Sequence, residues 1–145
     1  MAMKLSTGKI AFPIEFDNGD KQNIYFNPND PELFVRFSKF EKNVDEKIQV
    51  IEEIELDADG TPKDGALIGQ FEQAITIIKD ELDIAFGSNI SEVVFKYCSP
   101  FAIIGGEYFL VQFIQAIRPE IEKHNKKANT EISKKMAKHL DKYKK

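Results

Sequence analysis

The amino-acid sequence predicts a single α+β domain, an N-terminal β-hairpin packed on a mostly helical bundle with a long C-terminal helix. Three observations predict it. Apolar residues alternate between positions 10 and 26, and beyond position 33 they recur every three or four residues. With 145 residues, 42% hydrophobic and 30% charged, the chain is long and apolar enough for one sizeable core and too short for two comfortable ones. We divide it into a core domain, 1–121, and a basic C-terminal helical extension, 122–145.

Ile10, Phe12, Ile14 and Phe16 form the first strand's apolar face, and Pro13, which cannot donate to a ladder, places that strand at a sheet edge. Asp17-Asn18-Gly19-Asp20 supplies residues that tolerate positive φ, and Gln22, Ile24 and Phe26 resume the alternation, so the two strands make a hairpin. Two strands alone are marginal in water, which requires this apolar face to lie on helices.

Asp30 is a good N-cap and Pro31 suits the first helical position, where a missing N–H costs nothing. The helix that starts there carries Leu33, Phe37, Phe40, Val44, Ile48 and Ile51 on one stripe and is expected to reach about Glu55. Residues 57–65 superficially resemble a calcium loop but lack its third acidic position and terminal Glu; turn chemistry explains the same Asp, Gly and Pro. Leu67, Phe71, Ala74, Ile75, Ile78 and Leu82 mark a second helix, ended by Gly87 and antiparallel to the first.

Residues 90–98 read as a short helix stopped before Pro100. After Gly105-Gly106, taken as a helix-start turn, the stretch 108–117 is apolar nearly all round, as in a helix buried on several sides. Pro119 is expected to kink that helix or start a new one. Beyond it Ile121, His124, Ala128, Ile132, Met136 and Leu140 keep a thinner apolar stripe.

Charge is unevenly distributed. Nine lysines against three acids give residues 122–145 a charge of +6, leaving −10 for residues 1–121 of a chain whose total is −4. Such a tail can be a handle for nucleic acid, for an acidic partner or for a neighbouring copy's body; it can equally be a solvated helix face with lysines well placed near a C-terminus. A nucleic-acid-binding module using this helix is an alternative reading, opposed by the acidic body and by the lack of aromatics among the lysines before Tyr143.

The residues present no catalytic constellation. There is no phosphate-binding glycine loop, no paired-cysteine metal spacing and no nucleophile elbow. His124 and His139 lie fifteen residues apart, which on one helix separates them by roughly 20 Å or more. Glu120 and His124 could share a helix face but are too few for a metal site. Glu52, Glu53, Glu55, Asp57 and Asp59 read as a solvated edge. Cys98, the one cysteine, has no neighbouring base and is expected to be a small buried hydrophobe. We therefore expect no enzyme activity, no cofactor and no metal. No signal-peptide pattern and no spanning apolar run is visible, so a cytoplasmic, non-membrane protein is expected.

The order of the N-terminal half carries a resemblance. An Ile-Ala-Phe-Pro-Ile strand, an Asn-Gly turn, then Ile24-Tyr25-Phe26-Asn27-Pro28-Asn29-Asp30-Pro31 running into Phe34-Val35-Arg36-Phe37 resembles the tail assembly chaperones of long-tailed bacteriophages and prophages of Gram-positive bacteria. Phe101-Ala102-Ile103-Ile104-Gly105-Gly106 before a long helix with a Lys-rich end fits the same pattern, so the resemblance covers most of the chain. It implies a bacterial cytoplasmic protein, without cofactor or reaction, that binds the tape-measure protein before the tail tube polymerises. A tape-measure protein is long and helical, and helix-in-groove contact would suit it. Phe109, Phe113 and Ile117, or Ile132, Met136 and Leu140, are the candidate partner-binding residues, and a homo-oligomer is plausible. A structural virion accessory protein, of the tail or connector, is the other alternative.

Overall fold

Pro13 and the Asn18-Gly19 turn shape the N-terminal hairpin. In the computed structural model, which describes residues 2–53 and 65–124, strand β1 (Ile10–Glu15) pairs antiparallel with β2 (Lys21–Phe26), with Phe12 opposite Ile24 and Pro13 opposite Asn23. Gly19 takes φ +88°, and the Asn18 side chain accepts from the Asp20 N–H at 3.0 Å, so the turn residues act as their types suggest. The inward face of β2 is fully covered at Ile24 and Phe26, whereas Phe12 and Ile14 on β1 are half-buried and Ile10 is exposed. β2 thus lies against the core and β1 at its margin.

Asp30 caps helix α1 (Pro31–Glu53) by accepting from the Glu32 N–H at 3.0 Å. Helix α2 (Gly65–Phe86) ends in a Schellman arrangement: Gly87 takes φ +65°, the Ser88 N–H bonds to the Asp83 carbonyl and the Gly87 N–H to the Ile84 carbonyl. Arg36 near the start of α1 donates to the Ala85 carbonyl at the end of α2, so the two helices are antiparallel, as expected. Leu33, Phe37, Phe40, Val44 and Ile51 of the first expected stripe and Ala74, Ile78 and Leu82 of the second are buried in one core, which Phe86 joins; Ile48, Phe71 and Ile75 are half-buried against it, and the Leu67 side chain lies outside the described residues.

The connection to the last helix departs from the expectation. Helix α3 is confined to Ser91–Val94, and turns replace the helix expected through residue 98. Cys98 is half-buried rather than enclosed, because it lies in that turn region and not on a packed helix face. Gly105 and Gly106, at φ +61° and +81°, are the two central residues of a tiny hairpin, β3 (Ile103–Ile104) against β4 (Glu107–Tyr108), and not a helix-start turn.

Helix α4 then occupies residues 109–124 and continues through Pro119 without interruption of its helical assignment. It buries Leu110, Phe113, Ile114, Ile117 and Ile121, but Gln112, Gln115 and Ala116 face solvent. The helix is therefore covered on one side, not all round; its two glutamines sit on the open face. The 121/122 boundary between core and extension falls inside α4, and the extension from 125 onward lies outside the described residues. Together these elements make an α+β fold whose centre is aromatic. The Phe86 ring lies 4.9 Å from Phe26, 5.7 Å from Phe37 and 6.4 Å from Phe113, joining β2, α1, α2 and α4.

Candidate interaction surfaces

The six expected contact residues divide sharply. Phe113 and Ile117 are enclosed in the protein's own core, and Phe109 is half-buried with its ring 6.0 Å from Phe95. Their stripe is spent on α4 packing, so the first group does not form an open contact surface. Ile132, Met136 and Leu140 lie outside the described residues. His124 packs edge-on against Phe12, with ring centres 6.1 Å apart, and Glu120 is exposed. Glu52 is exposed as expected, while the other acids of that cluster fall beyond the described side chains.

The polar side chains that come together hold elements in place. Asp83 accepts from the Ile90 and Ser91 N–H groups at 2.8 and 2.7 Å and from the Ser91 hydroxyl at 2.8 Å, clamping the end of α2 to the start of α3. Asp20 accepts from the Tyr97 hydroxyl, the Lys96 ammonium and the Gln22 amide, which hold its carboxyl down to about 2 and tie the hairpin turn to the segment after α3. Arg118 on α4 pairs with Glu41 on α1. Burial, with a smaller contribution from Asp17, pushes the Cys98 thiol up, away from the reactive thiolate. Among the described residues no three His, Cys, Asp or Glu side chains gather as a metal site would require. No described helix is long and apolar enough to cross a membrane.

Among the described residues several apolar side chains stand in solvent, Leu5, Ile10, Val35 and Val50 among them, and two places hold the most exposed of those within strands and helices. The first is a shallow depression of about 540 Å³ between the outer face of the hairpin and the end of α2, where Tyr25 is 53% exposed and Ile84 is 69% exposed. Its two charged groups are already engaged: Lys9 donates to the Gly87 carbonyl at 2.8 Å, and Asp83 caps α3. The second is the β3–β4 tip, where Ile103 and Ile104 are 68% and 51% exposed. Neither was anticipated. Ile84 interrupts the α2 stripe at an outward position, and of the β3–β4 tip only the Gly105-Gly106 pair carried a turn signal. Comparison of the chain with protein-family models, with curated proteins and with solved structures finds no match in any of the three.

Proposed function

We propose that this protein is a non-enzymatic tail assembly chaperone of a long-tailed phage or prophage, acting in the bacterial cytoplasm by binding the tape-measure protein before the tail tube forms. The observation that carries the reading is the order of strand, Asn-Gly turn and Asp30-Pro31 helix start running into Phe34-Val35-Arg36-Phe37, which resembles that family's pattern. The exposed isoleucines support it. A chaperone for a long helical protein must offer apolar contact without a reaction, and Ile84, Ile103 and Ile104 are apolar side chains presented on ordered backbone. The acidic body supports selectivity, because net charge of one sign steers encounter toward basic surfaces.

Co-expression with the tape-measure protein of the same genome, followed by pull-down and size-exclusion chromatography with light scattering, tests the proposal. A stable complex with raised tape-measure solubility is expected, together with absence of the chain from purified particles. No complex and no solubility gain would sink it, and recovery of the chain from mature particles would transfer the role to a structural virion component. A chain ending after His124 then distinguishes a contact made by the body from one that needs residues 125–145.

A further inference from the structure

The β3–β4 tip joins three features that the packing of the domain does not use. In antiparallel pairing Ile103 shares a face with Tyr108 and Ile104 with Glu107, so the two isoleucines point to opposite sides of the tip. Both are largely exposed. A Cβ added at Gly105 or Gly106 would meet nothing within 4 Å, so the apex stands clear of the body. β-Branched side chains are stiff at χ1, and a partner that buries them has little rotamer freedom to remove.

Ile104 also has a carboxylate on its own face. Glu107 is exposed beside Ile104, where its Oε1 accepts from Gln115 Nε2 at 3.2 Å. An apolar protrusion that carries a carboxylate is complementary to an apolar cleft with a basic residue at its border. The same carboxylate, on a body of charge −10, opposes an anionic lipid surface, a nucleic acid and the acidic body of a second copy.

We propose that the β3–β4 tip is a docking knob for a helical partner, with Ile103 and Ile104 entering an apolar groove between helices whose borders carry lysine or arginine. The inference rests on the tape-measure reading and names the chemistry of that contact. Glu107 is the orienting group, and the isoleucines contribute the apolar burial.

The test uses the full chain and the tape-measure protein, with affinity measured at low and high salt for wild type and three variants. Ile103→Ser combined with Ile104→Ser should weaken the complex about tenfold or more, the scale expected for losing two buried aliphatic anchors. Its thermal midpoint should stay near wild type, because neither side chain is part of the buried core. Glu107→Gln should weaken binding about threefold at low salt and flatten the salt dependence, as expected for an ion pair at the rim. Undiminished binding by the double isoleucine variant would overturn this inference while leaving the chaperone reading intact. So would loss of the complex in Ile84→Ser alone, which would move the contact to the depression beside Tyr25. Absence of any wild-type complex would overturn both.

Discussion

Asp83 accepts three hydrogen bonds at 2.7–2.8 Å from donors that begin α3, and the hydroxyl it holds belongs to Ser91, a buried polar residue. Asp83→Ala should therefore lower unfolding stability by roughly 2 kcal/mol, combining the loss of a cap with a buried hydroxyl left unpaired. Urea denaturation measures it, and a change below about 0.5 kcal/mol would mean that water replaces the carboxylate. Asp20 acts through pH instead. Donation by Tyr97, Lys96 and Gln22 holds its folded carboxyl at about 2, below the ordinary aspartate value of 3.8. A depressed folded value stabilises above the unfolded value, and the stabilisation fades as pH falls from that value through the folded one. The stability difference between wild type and Asp20→Asn should accordingly shrink between those limits, with the Asp20 carboxyl carbon titrating by NMR near the lower one. An ordinary aspartate midpoint would show that the clamp on Tyr97 does not form in solution.

Glycines at the element ends and within an element should respond to alanine with opposite signs. Gly87 ends α2 at φ +65° and Gly106 turns the β3–β4 hairpin at φ +81°, and both have open space around them, so the penalty at each is conformational rather than steric. Gly87→Ala and Gly106→Ala should each cost about 1 kcal/mol, the strain of a left-handed residue. Gly69 lies within α2, also in open space and without positive φ, so Gly69→Ala should stabilise by about 0.5–1 kcal/mol. Thermal melts of the three variants check the pattern, and a shift of the same sign in all three would refute it. These elements also mark how far local sequence reaches. The first hairpin, α1 and α2 were legible because alternation, the Asp30-Pro31 start and the Gly87 stop agree with one another. α3 was read too long because Pro100 limits where a helix can end without requiring that it last until then. The β3–β4 hairpin was missed because strands of two residues have no period to detect, which left Gly105-Gly106 to be assigned to the helix that follows.

At the scale of the whole molecule, a stripe such as Phe113–Ile117 says that a face is buried but not by what. Three-dimensional packing assigns that face to the core and leaves Ile103 and Ile104, which belong to no stripe, exposed, as it leaves Val35 and Ile84. The same packing separates positions that hold the fold from positions free to make contacts. Phe86 touches the rings of Phe26, Phe37 and Phe113, so it joins the hairpin to three helices. Removing it leaves a cavity where those elements meet. Phe86→Ala should cost about 3–5 kcal/mol, a large part of the 5–15 kcal/mol that stabilises a typical domain. Because Phe86 serves the hairpin and helices together, hydrogen exchange should accelerate at Ile24, Phe37 and Phe113 in parallel, as one cooperative unit. Ile103→Ser in the same assay should leave exchange at those positions unchanged. Acceleration confined to the end of α2 in Phe86→Ala would show instead that the hairpin and the helices unfold separately, and that the aromatic centre does not bind them into one body.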